Sequence, residues 1–224
     1  MSRVHDMGGR FGEGPVVPDA DDVVFYTDWH ARALAVTLAA GSLGKWNIDV
    51  SRHARESLSP KDYMAFSYYE KWMGGLADML VHRGVLTREE MADQTVTQIS
   101  DLADKKLTAD QVAVVLARGG PATRDSDVAP VFSVGDAVMT RRIAENVLVA
   151  GGHTRLPKYA AGARGRILRY HGTHILPDSN AHGLGEAPEP LYAVIVPASE
   201  LWQHPEHPRD EVVLDLWQSY LEPL

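Results

Sequence analysis

The sequence contains no cysteine at all. This absence excludes disulfide bonds, thiolate zinc sites and thiol nucleophiles from the chain. Basic residues are in deficit as well, since 22 Lys and Arg stand against 30 Asp and Glu for a net charge of −8. An acidic balance opposes binding to nucleic acid or to an anionic membrane. No apolar run approaches the roughly 20 residues that span a bilayer, and residues 1–14 contain no apolar signal segment. We therefore expect a cytoplasmic protein with neither kind of partner.

Ten histidines remain as potential metal ligands, but they are scattered along the chain. His171 with His174, and His204 with His207, are spaced closely enough to share a face or a turn. Neither region is typical of a long helix, and no His-Glu-x-x-His arrangement occurs. We interpret these side chains as solvated or core histidines and expect no metal site within this chain.

The first part of the chain carries the signals of helices. Residues 1–24 are rich in Gly and Pro and predict an extended arm. Residues 25–120 predict an α-helical domain, because N-terminal capping patterns repeat along them. These patterns are Asp28, Asn47, Ser59 before Pro60, Ser67 with Glu70, Thr87 with Glu90, and Thr108 with Gln111. Gly84 and Gly119 are placed where two of the helices should stop.

The periodicity changes after a Gly- and Pro-containing linker at 119–130. Short stretches at 134–140, 165–170, 191–196 and 212–216 have the alternation or the β-branched content of strands. Short strands joined by Gly-rich connections favour a small barrel or roll. The sequence thus predicts an α+β protein in which an arm and a helical domain precede a β domain at 131–224.

Motifs in a fixed order along the chain resemble those of nitrile hydratase β subunits. The matching segments are Val4–Gly9, Gly12–Pro15, Phe25, Asp28–Trp29, Ser67–Trp72, Gly152–Tyr159, His171–Gly172, Pro177–Asp178, Glu200–Trp202 and Asp215–Pro223. Each motif alone is weakly specific. Their shared order over nearly the whole chain identifies it as a member of that family, and the family's β fold implies that the C-terminal domain is an SH3-like β-roll.

The resemblance implies an enzyme that adds water to a nitrile to give an amide, a hydro-lyase active only with an α subunit. It places Co(III) or Fe(III) in a claw of partly oxidised cysteines on that α subunit, so that this chain binds no cofactor alone. A cysteine-free chain agrees with the β assignment. The sequence around Tyr170–Gly172 and Ile175–Asp178 looks more like cobalt-type than iron-type relatives. An αβ heterodimer is expected, and its pairing into α2β2 stays open.

By motif, the resemblance assigns three catalytic residues and three residues of the substrate channel. Arg52 and Arg155 match arginines that hydrogen-bond the oxidised cysteine oxygens. Arg suits that role because its rigid fork of donors stays cationic. Tyr68 matches a tyrosine beside the nitrile pocket. The substrate channel is assigned to Ile48, Ser51 and Trp72. Ser51 departs from the family, in which many relatives carry an aromatic, and should open or polarise the pocket.

Each assignment has an alternative that the sequence leaves open. Arg52 and Glu56 stand at i,i+4 and could form a surface ion pair. Arg155 could be an ordinary loop residue, and Tyr68 and Trp72 could be core residues. Two rival functions remain for the whole chain. One is a thiocyanate hydrolase-type subunit, a relative that divides the β architecture between two chains. The other is a non-catalytic SH3-like binding or metal-delivery protein.

Overall fold

The structure, a computed structural model, describes residues 4–6, 23–93, 95–96 and 99–224. It divides into two compact units, the first ending at Gly120 and the second starting at Pro121. The described part of the first unit is helical, and the second contains a five-stranded antiparallel sheet. The α+β class expected from the sequence is therefore confirmed. Most of the arm predicted at 1–24 lies outside the described residues.

The helices of the first unit begin where the capping residues predict. They are α1 (Asp28–Gly41), α2 (Ile48–Glu56), α3 (Pro60–Ala65), α4 (Tyr68–His82), α5 (Arg88–Asp93) and α6 (Ala109–Arg118). The Asn47 side chain accepts from two backbone N–H groups at the start of α2, and the Ser59 hydroxyl accepts one at α3. One predicted cap is wrong by a residue. Thr27 holds the N-cap position of α1, and Asp28 is already helical, where its charge favours the positive end of the helix dipole.

Helix α4 provides the core of the first unit. Leu76 and Met79 are buried there together with Ala40 of α1. Gly75 faces α2 at short range, since a Cβ at this position would lie 2.9 Å from Cγ of Arg55. A side chain larger than hydrogen would therefore push apart the two helices that carry the site described below. None of the helices in the described segments is both long and apolar enough to cross a membrane.

The second unit is built on one antiparallel sheet in the order β4-β3-β2-β1-β5. Its strands are β1 (Ala137–Thr140), β2 (Arg164–His174), β3 (Glu189–Pro197), β4 (Glu211–Trp217) and β5 (Leu221–Pro223). Two short helices, α7 (Pro177–Asn180) and α8 (Ala198–Leu201), lie in its connections. The sequence predicts the first four strands. It misses β5, because three residues ending in proline give no strand signal.

The buried faces of these strands form a continuous apolar core. Its members are Val138, Leu156, Ala163, Ile167, Leu176, Tyr192, Val194, Val196, Leu216, Tyr220 and Leu221. Two of them, Tyr192 and Tyr220, carry polar hydroxyls into the interior, where each hydroxyl needs hydrogen-bond partners. Part of the predicted linker also belongs to this unit. Thr123 bridges to His174 at the end of β2, and Arg124 holds Glu186 through two contacts of 2.7 and 2.8 Å.

Replacing Gly75 by Ala should destabilise the helical unit. The new Cβ would meet Arg55 at 2.9 Å from Cγ and 3.2 Å from the backbone nitrogen. Overpacking of this kind costs about 1–3 kcal/mol, more than the roughly 1 kcal/mol that Ala gains over Gly in helix propensity. Thermal and urea unfolding measure the change. The matched control is Gly41→Ala at the end of α1, where nothing lies within 4 Å. Equal unfolding midpoints for the two variants would contradict the close approach.

Candidate functional site

The start of helix α2 presents three of the residues assigned from the sequence on one side of the helix. Ile48 is the first helical residue and is 61% exposed. Ser51 and Arg52 follow three and four residues later, so they lie above Ile48 on the same face. The cap by Asn47 fixes the backbone at this end. The helix therefore offers an apolar residue, a hydroxyl and a cation side by side.

Arg52 is oriented by a buried carboxylate within its own helix. Its Nη1 donates to Oδ1 of Asp49 at 2.9 Å, and Asp49 is only 4% exposed. The ion pair described for Arg52 is thus with Asp49, one turn before it, and not with Glu56. This contact uses Nη1, and a guanidinium carries five N–H donors in all. Arg52 can still present donors to a second anion.

The aromatic residues assigned to the pocket are brought together at the start of α4. The ring of Tyr68 lies 5.5 Å from that of Trp72, between centroids, and Tyr69 lies 5.1 Å from Tyr68. Tyr68 is 63% exposed, which rules out the core alternative for it, and Trp72 is half-buried. This end of α4 is an accessible aromatic surface with a phenol hydroxyl.

Arg55 joins the two helices at this surface and was not singled out from the sequence. Its guanidinium carbon stands 4.5 Å from the ring centre of Trp72. Its Nε donates to the carbonyl of Ser51 at 3.0 Å, and Nη2 lies 3.4 Å from the Ser51 hydroxyl. Burial lowers the pKa of Arg55 from its ordinary value, with Tyr68 acting in the opposite direction. Ser51, Tyr68 and Trp72 thus surround one half-buried cation.

The loop of the second unit that carries Arg155 combines a fixed backbone with a free side chain. His153 is fully buried and Leu156 is 1% exposed, whereas Arg155 between them is exposed. Across the described part of the chain, the Arg155 guanidinium has no hydrogen bond or ion pair. The arrangement aims an unpaired cation outward from a rigid segment.

Buried polar groups hold this loop in place. The backbone N–H of Arg155 donates to the Tyr220 hydroxyl at 3.2 Å, and that hydroxyl donates to the carboxylate of Asp178. The Asn146 amide donates to the carbonyls of His153 at 2.6 Å and Asp178 at 2.8 Å. The loop, α7 and the segment after β4 are therefore joined by one hydrogen-bond network.

The network has consequences for two ionisable groups. Burial raises the pKa of Asp178, and hydrogen bonds from Tyr220 and Thr154 partly offset this rise. Burial, reinforced by the nearby Asp178 carboxylate, raises the pKa of Tyr220 above its usual range. The phenol therefore stays protonated at neutral pH. It remains the donor in its contact with Asp178.

Sequence reasoning assigned the side chains that could face a partner or a substrate and missed those that support them. Asp49 and Arg52 have the i,i+3 spacing of a helical ion pair, a signal that could have found that contact. Tyr220 and Asp178 appear in the motifs of the resemblance, but 42 residues separate them. No local pattern predicts such a pair. Chemically, the guanidinium groups of Arg52 and Arg155 can bind anionic oxygens with fixed geometry, and the aromatic surface can take a small organic molecule.

Comparison with known proteins gives full-length matches. The family model described as "Nitrile hydratase beta subunit, N-terminal" matches residues 1–118, and "Nitrile hydratase beta subunit, C-terminal" matches residues 121–223. The low-molecular weight cobalt-containing nitrile hydratase subunit beta of Rhodococcus rhodochrous is 33% identical over 100% of both chains. The cobalt-containing nitrile hydratase subunit beta of Pseudonocardia thermophila is 31% identical over 99% of this chain and 96% of its own length.

Among solved structures, the apo-enzyme of thiocyanate hydrolase from Thiobacillus thioparus aligns with 62% of this chain and 98% of its own. The identity is 22% and the TM-score is 0.36. A likeness of this size carries no weight in assigning a function. The alternative of a thiocyanate hydrolase-type subunit therefore has to be tested by activity.

Asp178→Asn should flatten the pH dependence of stability. Because burial raises the pKa of Asp178 in the folded state, its contribution to the free energy of unfolding falls as pH rises from the unfolded pKa of about 3.9 through the folded one. Asn cannot ionise, so this decline disappears. Thermal unfolding of the full chain between about pH 4 and pH 7 measures it. The exposed Asp127, replaced by Asn, is the control. A variant that loses as much stability with rising pH as the parent would contradict the assignment.

Proposed function

The chain belongs to the nitrile hydratase β-subunit family, and on this premise we propose that its Arg52 and Arg155 bind the oxidised metal-ligand cysteines of an α subunit. The complex hydrates nitriles to amides as a hydro-lyase. The observation that supports the proposed role most directly is the exposed guanidinium of Arg155, which has no partner among the described residues, on a loop anchored from both sides. A cation held in this way suits a fixed anion on a partner.

The residues of this chain are suited to hydrogen-bond the ligands of such a metal centre and not to bind the metal themselves. The chain has no cysteine to supply a claw, and the two arginines can only donate hydrogen bonds. When bound in the α subunit, the trivalent ion, Co(III) in preference to Fe(III), supplies Lewis-acid polarisation. The relatives named for cobalt support that preference. This chain then contributes the donors around the centre.

Each arginine has a defined task under this proposal. Sulfenate and sulfinate oxygens are anionic acceptors, and a guanidinium fork can hold two of them at once. Arg52 reaches its partner with the donors that Asp49 leaves unused. Arg155 offers its whole fork, because its position depends on backbone contacts alone. Both groups hold the oxidised sulfurs in one geometry, as outer partners of metal ligands do.

The substrate side of the site is proposed for α2 and α4. The Tyr68 hydroxyl orients the nitrile or a claw oxygen, and Ile48, Ser51 and Trp72 line the channel. Ser51 is small and polar where many relatives carry an aromatic, so we expect this side of the pocket to be wider. The half-buried Arg55 at 3.0–3.4 Å from Ser51 gives it positive polarity. Nitriles with a polar or anionic substituent are therefore the preferred class.

The finer features of the assembly are proposed on the same family basis. They are an αβ heterodimer, able to pair further into α2β2, and a cytoplasmic location. The C-terminal domain, 131–224, is assigned the SH3-like roll of the family, after an arm at 1–24 and a helical domain at 25–120. The five-stranded sheet supports a β domain, and the roll itself remains part of the proposal.

Arg52→Lys and Arg155→Lys should each lower the turnover of the complex by about 10- to 100-fold, the range seen when outer partners of metal ligands are removed. Lys keeps the charge and loses the bidentate fork. Complex formation, followed by co-purification, should not change. Arg209→Lys on an exposed segment is the control and should retain full turnover. Near-normal turnover in both site variants would remove the arginines from the mechanism.

Purification of tagged chain from its native cells tests the assignment as a whole. We expect a stoichiometric partner with a Cys-rich claw and about one cobalt per αβ pair, because a catalytic Lewis acid is needed once per site. Assays of the complex on a nitrile and on thiocyanate separate the two enzyme functions. A chain that purifies alone, folded and metal-free would favour the binding or delivery role instead.

A further inference from the structure

Tyr220 is a fully buried tyrosine whose hydroxyl makes three hydrogen bonds within the second unit. It accepts from the N–H of Arg155 at 3.2 Å and from the hydroxyl of Thr154 at 3.4 Å. It donates its own proton to Asp178. A phenol has one donor and two acceptor positions. The Thr154 contact is the weakest of the three, because the single Thr154 proton is shared with Asp178.

Other groups fix the part of the loop that comes before Arg155 in the sequence. The backbone N–H of His153 donates to Nε2 of His182 at 2.9 Å. Gly152 is confined further, since a Cβ there would lie 2.7 Å from that same nitrogen. Asn146 closes this end through the His153 carbonyl. The contact that reaches the backbone of Arg155 itself comes from Tyr220.

We propose that Tyr220 and Asp178 are positioning residues for Arg155. They fix the backbone of Arg155, and thereby the place and direction in which its guanidinium projects from the second unit. Asp178 orients the hydroxyl by accepting its proton, and the hydroxyl then presents its lone pairs to Thr154 and Arg155. The inference rests on the proposed function for the role of Arg155 in turnover. The positioning of the loop itself does not depend on it.

The chemistry of the pair excludes a direct part in the reaction. Tyr220 is fully buried and Asp178 is 2% exposed, so neither reaches a solvent-accessible substrate. The raised pKa of the Tyr220 phenol keeps its proton in place, and the contact with Asp178 therefore persists at all working pH values. The Tyr220 ring is held separately, by the Arg141 guanidinium at 4.8 Å and by Trp217.

Amide hydrogen exchange in Tyr220→Phe tests the positioning directly. The variant keeps the ring and deletes the hydroxyl, so the Arg155 amide loses its acceptor and should exchange about tenfold faster or more. The matched control is Tyr192→Phe. Tyr192 is equally buried, and its hydroxyl contacts Gln218 at 3.0 Å and the N–H of Phe132 at 3.4 Å. Unchanged exchange at Arg155 in Tyr220→Phe, or an equal change in the control, would overturn the proposal.

Steady-state kinetics of the αβ complex then tests the link to function. Tyr220→Phe should lower kcat about tenfold with little change in KM, while Tyr192→Phe stays near the parent. The double variant with Arg155→Lys should turn over within about twofold of Arg155→Lys alone, because residues acting through one another are not additive. Additive losses would show that Tyr220 acts elsewhere. Near-normal turnover of Arg155→Lys would refute the proposed function while leaving the exchange result to judge the positioning.

Two substitutions at Asp178 provide a second route if Tyr220→Phe does not fold. Asp178→Asn retains a side-chain carbonyl that can accept the phenol proton, and it should keep both slow exchange at Arg155 and kcat. Asp178→Leu has a similar size and no acceptor, and it should lose both. If the two variants behave alike, Asp178 does not orient the hydroxyl, and the proposal fails.

Discussion

The hydrogen bond between the Tyr220 hydroxyl and the Asp178 carboxylate joins parts of the second unit that the sheet alone does not fix. It is buried at both ends, where an unsatisfied partner would cost about 1–3 kcal/mol. Through the same hydroxyl the contact continues to the backbone of Arg155. An arginine side chain carries about 2 kcal/mol of rotamer entropy, so precise recognition by an exposed arginine depends on how well its backbone is held.

In the first unit, the arginines are held by residues of their own helix and of the helix packed against it. Arg52 is held from within its helix by Asp49, whose burial limits the access of water to the carboxylate, while the Arg52 side chain is 39% exposed. Arg55 packs its stem into the space that Gly75 leaves open and its guanidinium over Trp72. The contacts that pack α2 against α4 are therefore also the contacts that place the Arg55 guanidinium. A change in the distance between α2 and α4 would move both the charge and the aromatic surface.

The sequence predicted well what depends on neighbouring residues. Caps such as Asn47 and Ser59 satisfy nearby N–H groups, so the pattern that predicts them is also their cause. Strand β5 and helices α7 and α8 were missed, because elements of three or four residues have no periodicity to detect. The error at Asp28 is of one residue, since an acidic side chain suits both the cap and the first turn.

The candidate site was also predicted only in part. Arg52, Tyr68 and Arg155 were assigned through a family resemblance, which compares positions without needing their contacts. The supporting residues were not assigned, since their partners lie far along the chain and meet only after folding. Arg55 is an intermediate case. Its contact with Ser51 is local, but its position over Trp72 arises from the packing of two helices.

The distance along the chain between Arg155 and its acceptor also sets an order of events during translation. Tyr220 follows Arg155 by 65 residues. A ribosome that adds about 5–20 residues per second needs several seconds to make that stretch. During this time the emerging loop has no phenol to bind, whereas Asp49 is already present when Arg52 is made. In the nascent chain, the contact of Arg52 with Asp49 can therefore form early. The contact of Arg155 with Tyr220 has to wait until the last strands join the sheet.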